Sequence, residues 1–318
     1  MYFCDLHAHT VRSDGNSTYE ELIEHAQERR VKVVAITDHD IICDDIVRNG
    51  ERIALEDYGL QHGVVVIRGI EFSCDTQIED VHIVALGCDF SHPFFAQEYK
   101  KSIQSKIDGY RTLCERLTEA GMPVSWEKDI LLDGKRTEES VQRKMIFETM
   151  AQNGYAPSWK DAKLMVKNTA SFQIKREKPD PVQIITGVHE AGGIAILAHP
   201  FLITNLRDDA DAFRKRYIDR LFENGLDGIE ACYPYDKTSY DGWRTKEEIQ
   251  RYIEEQYGGR YLISGGSDYH NDQKKGIVNQ RELGECGLTL EDFLKNQKLV
   301  SLLSNQQREV LGYENHEC

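Results

Sequence analysis

The sequence lacks any hydrophobic run approaching the ~20 apolar residues that a membrane-spanning helix requires. Its N-terminus also lacks the basic segment followed by an apolar one that is typical of a secretory signal. These two absences predict a cytoplasmic protein that does not bind membranes.

Positive charge is also in short supply. The 318 residues include 39 lysines and arginines against 54 aspartates and glutamates, which gives a formal net charge of −15. A chain this acidic repels an extended phosphate backbone over long range, so we expect no long nucleic acid among its partners. A small anion held by local positive groups is the better candidate, and bound divalent cations would offset part of the negative charge.

Closely spaced cysteine pairs are absent as well. The chain has eight cysteines, and no two of them are separated by only two residues. This pattern is unlike a thiolate zinc site, and we interpret the cysteines as reduced thiols in the core or on the surface.

Short apolar runs alternate with helical patterns along most of the chain. Seven of the runs are predicted to be core strands, at residues 2–7, 31–37, 63–70, 81–86, 194–198, 226–231 and 260–264. Helices are predicted at residues 18–30, 44–60, 181–192, 209–224, 244–257 and 289–303. Two helix starts carry clear signals, the capping-box pair Thr18 and Glu21 and the dipeptide Asp180-Pro181. Strands that alternate with helices indicate βα units and a parallel sheet.

The alternation stops in the middle of the chain, where helical patterns continue without a convincing strand. Helices are predicted there at residues 97–120, 138–153 and 158–168. We therefore predict two domains, an α/β domain of residues 1–96 and 178–318 and a helical insertion of residues 97–177. We expect the insertion to act as a cap that selects substrates by size.

Six of the eleven histidines lie at strand ends or in the short segments that follow strands. They are His7, His9, His39, His82, His199 and His270. His7 and His9 share one face of their strand because side chains alternate along it, and two neutral imidazoles can bind one metal ion. Asp268 and His270 repeat this spacing after the last predicted strand.

Carboxylates occupy similar positions, with Asp14 in the first loop and Glu71 at a strand end. In a barrel of parallel strands the loops after the strands meet at one mouth, so we expect these groups to converge there. Without a metal, so many titratable groups would be poorly compensated. Nitrogen and oxygen ligands without sulfur suit manganese, iron or zinc, and the histidines disfavour calcium.

Six segments together resemble the motifs of the PHP (polymerase and histidinol phosphatase) family in order and spacing. They are DLHAHTVRSDG, AITDHD, GIEFS, VHIVALG, LAHP and GGSDYH. The chain looks most like the branch with a helical insertion between the fourth and fifth strands. That branch is known for phosphoesterases that act on nucleotides or cyclic sugar phosphates.

The resemblance implies a distorted (β/α)7 barrel that binds three divalent metal ions, with manganese favoured and iron or zinc as alternatives. The implied ligands are His7, His9, Glu71 and Asp268 for the first ion, Asp14, His39 and His270 for the second, and Glu71, His82 and His199 for the third. Glu71 would bridge two ions. The implied reaction is hydrolysis of a phosphate ester in a small metabolite by metal-activated hydroxide. Asp14, His39 and His199 are the candidate catalytic residues, and either histidine is a candidate proton donor to the leaving alkoxide.

An acidic protein needs local cations to bind a phosphate. The candidates are Arg143, Lys144, Lys167, Lys175, Arg176 and Lys274. Arg143 can bind a phosphate through two parallel hydrogen bonds. Family members that hydrolyse nucleoside bisphosphates tend to have Arg-x-His at this place, whereas this chain has Arg143-Lys144-Met145, so a bisphosphate substrate is not favoured.

Other functions remain open at this point. A nuclease that trims short oligonucleotides from one end would use the same metals. A non-catalytic metal-binding PHP module is a further alternative, although the complete ligand set opposes it. Amide hydrolysis shares the same barrel and metals.

Overall fold

The computed structural model describes residues 3–203 and 210–313. The chain forms two compact units, one of Met1–Phe95 with Pro179–Cys318 and the other of Ala96–Lys178. No helix of the described residues is both long and apolar enough to cross a membrane. The cysteines in these residues form no disulfide.

The first unit is built on a seven-stranded sheet. The described residues of the unit form nine strands: β1 Cys4–Asp5, β2 Val33–Ile36, β3 Ile46–Arg48, β4 Glu51–Ile53, β5 Val65–Cys74, β6 Val81–Leu86, β7 Ile194–Leu197, β8 Gly228–Cys232 and β9 Leu262–Gly265. β3 and β4 form a separate hairpin, and the other seven form the sheet. The sheet order is β1-β2-β5-β6-β7-β8-β9, so the strands follow one another in space as they do along the chain. The seven predicted core strands are all present.

The sheet nearly closes on itself between its first and last strands. A bridge joins Ala8 to Tyr269, where the amide of His9 donates to the carbonyl of Tyr269 at 2.8 Å. The predicted α/β barrel is therefore confirmed, with the segments after β1 and β9 lying side by side.

One strand runs against the predicted direction. β6 pairs antiparallel with both β5 and β7, whereas the alternation of strands and helices had predicted a parallel sheet. The physical reason is the short connection at residues 75–80, because a parallel crossover needs a dozen or more residues. Asp75 and Asp80 both adopt positive φ angles, 59° and 58°, in this turn. Reversal brings the start of β6, with His82, level with Ser73 near the end of β5.

Helices surround the sheet in the first unit. They are α1 Tyr19–Glu28, α2 Leu55–Gln61, α6 Pro181–Glu190, α7 Ala210–Glu223, α8 Lys246–Tyr257, α9 Leu290–Lys295, α10 Gln297–Ser301 and α11 Asn305–Val310. The capping box of Thr18 and Glu21 is formed at the start of α1, and the Asp180 side chain accepts the first free amides of α6, as predicted.

The predicted helix at residues 44–60 is wrong in its first half. Residues 46–53 form the β3–β4 hairpin, and α2 begins only at Leu55. Asn49 and Gly50 have φ angles of 53° and 83°, which are the values that a two-residue hairpin turn requires. The Asn-Gly pair was the sequence signal for this turn.

The second unit is helical. α3 Pro93–Glu119 leads into it, and α4 Arg143–Gln152 and α5 Trp159–Asn168 follow. α4 begins later than predicted, because residues 138–140 form a separate 3₁₀ turn. Residues 96–178 are all described, and none of them lies in a strand. The unit has its own apolar core, which includes Leu117, Ile130, Ile146 and Met150. Its role as a cap stays a prediction.

Candidate metal centre

The predicted metal ligands come from six strands and meet at one end of the barrel. They are His7, His9 and Asp14 after β1, His39 after β2, Glu71 on β5, His82 on β6, His199 after β7, and Asp268 and His270 after β9. Seven of the nine line a cavity of about 410 Å³, whereas His7 and His9 lie beneath it and are fully buried.

The Glu71 carboxylate lies at the centre of this cluster. Its Oε2 atom is 3.0 Å from Nδ1 of His39 and 3.2 Å from Nε2 of both His7 and His9. Its Oε1 atom is 2.8 Å from Nδ1 of His82 and 3.0 Å from Nε2 of His199. Five imidazoles therefore approach one buried carboxylate.

Asp268 supplies a second carboxylate to the same cluster. Its Oδ1 atom is 3.0 Å from Nε2 of His9 and 3.4 Å from Nδ1 of His270. The other oxygen, Oδ2, accepts hydrogen bonds from the Tyr233 hydroxyl at 2.7 Å and from Arg281 at 2.5 Å. One oxygen thus faces the imidazoles while the other is held by fixed donors.

Asp14 forms the more exposed edge of the cluster. Its Oδ1 atom is 3.0 Å from Nε2 of His270 and 3.9 Å from Nδ1 of His9. The first loop therefore returns a carboxylate towards the same imidazoles that β1 and β9 present.

The donor set fits divalent metal ions. Oε2 of Glu71 is buried, lies near three imidazole nitrogens, and accepts no hydrogen bond from any described group. A buried carboxylate oxygen without a donor is costly unless a cation compensates it. The absence of sulfur among these ligands agrees with manganese, iron or zinc.

Three groups of ligand atoms lie within 4.8 Å of one another. They are His7, His9, Glu71 and Asp268; His9, Asp14, His39 and His270; and His39, Glu71 and His82. The first group has the same members as the first predicted ligand set. The second group adds His9 to the predicted set. The third contains His39 in place of His199; His199 contacts Oε1 of Glu71, whereas His39 contacts Oε2. The assignment of ligands to individual ions stays a prediction.

Burial and mutual charge set the protonation of the metal-free cluster. Burial alone would raise the pKa of Glu71, but the imidazoles of His39, His7 and His82 hold that pKa well below its usual range. Burial would lower the pKa of His9, yet the neighbouring carboxylates of Asp268 and Glu71 raise it to about 9. His39 differs, because burial outweighs its acidic neighbours and lowers its pKa to about 3.

The cations predicted for substrate binding fall in two places. Lys274, in the barrel unit, places its ammonium 2.8 Å from both carboxylate oxygens of Glu21 and does not line the cavity. The other five lie in the helical unit and are exposed: Arg143, Lys144, Lys167, Lys175 and Arg176. Their contact with substrate stays a prediction, as does that of Lys274.

Sequence reasoning missed three charged residues beside the cluster. Arg281 and Lys237 line the cavity, and no motif marked either of them. Glu230 lies on β8, is 1% exposed and contacts His7. An acidic residue within the otherwise apolar strand motif was the available signal for Glu230.

Comparison with known proteins identifies the family. The PHP domain matches residues 5–156. Over 271 residues the chain is 30% identical to a phosphoribosyl 1,2-cyclic phosphate 1,2-diphosphodiesterase from Eggerthella lenta, covering 84% of this chain and 93% of that protein. It is 29% identical over 270 residues to a 5'-3' exoribonuclease from Haemophilus influenzae, covering 84% of this chain and 89% of that protein. The chain belongs to the PHP family.

A solved structure agrees with this fold. A proposed metal-dependent phosphoesterase from Bifidobacterium adolescentis aligns with 95% of this chain and 96% of its own, with a TM-score of 0.65 and 24% identity. The predicted barrel is confirmed by this likeness. The predicted class of enzyme, a phosphoesterase, is confirmed by the names of the relatives.

Proposed function

We propose that the protein hydrolyses a phosphate ester in a small phosphorylated metabolite, either a nucleotide or a sugar phosphate, including cyclic phosphodiesters. The observation that carries the proposal is the buried Oε2 atom of Glu71, which lies near three imidazoles and accepts no hydrogen bond. We propose three divalent ions at this cluster, with manganese as the first candidate and iron or zinc as alternatives.

Bound divalent ions at such a site lower the pKa of water towards neutrality and neutralise phosphate oxygens. The protein's own part is to hold the nitrogen and oxygen ligands in place before substrate arrives. The low pKa of His39 keeps its imidazole neutral, which suits a ligand and does not suit a proton donor. Both predicted proton donors line the cavity, and the low pKa of His39 leaves His199 as the one that we favour.

The cavity supports a small substrate. A volume of about 410 Å³ falls in the range typical of small-molecule sites. Among the described residues, Arg281 and Lys237 are the two cationic side chains that line it; Arg281 pairs with Asp268 and Lys237 with Glu285. The similarity to a cyclic phosphodiesterase favours a phosphorylated sugar among the candidates. We further propose that the candidate cations contact the substrate, namely Arg143, Lys144, Lys167, Lys175, Arg176 and Lys274.

A second candidate is removal of nucleotides from the 5' end of short RNA. The relative from Haemophilus influenzae, which bears this name, matches most of both chains. The same ligand cluster would serve either reaction. Comparing turnover of mononucleotides with that of 5'-phosphorylated oligonucleotides separates the two, because only the nuclease should prefer the longer substrate.

The test is a phosphate-release screen with manganese over nucleotides, bisphosphates, cyclic phosphates and sugar phosphates. For the cyclic diesters, loss of substrate is followed by chromatography. The variant His39→Ala should lower any genuine activity by at least about 100-fold, because it removes a ligand from two of the three groups. Protein that binds manganese but hydrolyses none of these esters would favour a non-catalytic PHP module.

A further inference from the structure

One buried carboxylate outside the predicted ligand set contacts two of its members. Glu230 on β8 is 1% exposed. Its Oε1 atom is 2.9 Å from Nδ1 of His7, and its Oε2 atom accepts the backbone amide of His199 at 2.7 Å. Both oxygens are therefore committed to residues that approach Glu71.

The first contact fixes the tautomer of His7. A carboxylate oxygen accepts hydrogen bonds, so Nδ1 of His7 is the donor to Oε1 of Glu230. In the neutral imidazole, the form that binds a metal ion, the lone pair then lies on Nε2, which is 3.2 Å from Glu71 and 3.6 Å from Asp268. Glu230 thereby directs the metal-binding nitrogen of His7 towards the centre of the cluster.

The second contact holds an unusual backbone. His199 has φ 27° and ψ 57°, a left-handed conformation that a non-glycine residue rarely adopts, and it precedes Pro200. Strained backbone of this kind persists only where surrounding contacts enforce it. The hydrogen bond to Glu230 is one such contact, and the resulting turn places Nε2 of His199 3.0 Å from Glu71.

We propose that Glu230 is a positioning residue for the divalent metal centre and that it aligns His7 through its ring and His199 through its backbone. The inference rests on the proposed function, because it requires that the cluster bind metal. One side chain on β8 then couples the ligand from β1 with the ligand after β7.

The test is the variant Glu230→Gln in the full chain. Glutamine keeps the shape but offers one acceptor and one donor group, so it cannot accept from His7 and His199 together. After metal is stripped, we expect affinity for Mn²⁺ measured by calorimetry to fall ~10–100-fold. The visible spectrum of Co²⁺-loaded protein should change, which a purely structural role in the fold would not cause.

The matched control is Glu56→Gln, because Glu56 is a half-buried carboxylate that pairs with Arg68 away from the cluster. It should keep the wild-type Mn²⁺ affinity and cobalt spectrum. Wild-type values for Glu230→Gln would overturn the inference. If Glu230→Gln does not fold without metal, Glu230→Asp is used in its place. Aspartate keeps two acceptor oxygens but has a shorter side chain, and unchanged Mn²⁺ affinity of Glu230→Asp would equally overturn the inference. A wild-type protein that binds none of Mn²⁺, Fe²⁺ and Zn²⁺ refutes the proposed function itself, and is recognised before any variant is made.

Discussion

Metal binding should depend steeply on pH, because the metal-free cluster holds protons that a metal must displace. The pKa of His9 is about 9, since the neighbouring carboxylates of Asp268 and Glu71 outweigh the opposing effect of burial. Burial opposes protonation of His7 too, but the charges of Glu71, Glu230 and Asp268 raise its pKa well above the ordinary value. Both imidazoles are therefore protonated on both ring nitrogens and positively charged at neutral pH. Only a neutral imidazole binds metal.

The magnitude follows from the pKa of His9. Two units below that pKa, the neutral imidazole is about one part in a hundred, so apparent affinity for Mn²⁺ should rise about tenfold per pH unit. Displacement of a second proton from His7 would raise the slope towards two. Calorimetric titration of metal-stripped protein from pH 6.5 to pH 8.5, in buffers of different ionisation enthalpy, measures both the affinity and the protons released. Affinity that is flat over this range, with no proton release, would refute the assigned protonation.

The same pKa shift makes the metal-free protein less stable as pH rises, whereas it makes metal binding tighter. A histidine whose pKa rises from 6.5 to about 9 on folding contributes stability that is present below pH 6.5 and is lost as pH rises through 9. The melting temperature of the metal-free protein should therefore fall between pH 6.5 and pH 9. That of protein in excess Mn²⁺ should fall less or rise, since metal binds more tightly at higher pH.

Three substitutions test separate parts of the proposal. Glu71→Gln changes a residue of two ligand groups, so metal content by mass spectrometry should fall from about three equivalents towards one; unchanged content would contradict the cluster. Lys237→Met removes a cavity cation that pairs with Glu285 and with no predicted metal ligand, and KM should rise about 10–100-fold because a charge-assisted hydrogen bond is lost; a change in kcat alone would contradict a binding role. Arg143→Ala should raise KM with metal content unchanged, and Lys163→Ala, at an exposed site of the same unit outside the candidate set, shows whether loss of any surface cation has that effect.

Most of the cluster could be predicted because its ligands follow strands, and strand ends are readable from apolar runs. His7 and His9 share a face through the alternation of a strand, and the structure brings both within 3.2 Å of Glu71. The sites of Glu71 and His199 were likewise marked by apolar runs that end in a polar residue. Of the residues that surround these ligands, Glu230 had a weaker signal, an acid within an apolar strand, and no local pattern marks Arg281 or Lys237.

The parts that sequence missed depend on contacts between distant segments. Arg281 reaches Asp268 from a loop without regular structure, and its partner is fixed only by the closure of the barrel. Glu230 differs from a structural acid only through its contacts with His7 and His199, and no rule of sequence spacing reveals those contacts. The reversal of β6 could have been read from the six-residue link before it, because link length alone excludes a parallel crossover.

The seam between Ala8 and Tyr269 has a consequence for how the protein is made. The buried Asp5 accepts hydrogen bonds from Ser267, 262 residues later, so the two flanks of the barrel cannot join until the last strand exists. Contacts of such long sequence separation form slowly. On the ribosome, five of the six clustered histidines therefore emerge long before Asp268 does, and His7 and His9 pass most of the chain's synthesis without this carboxylate.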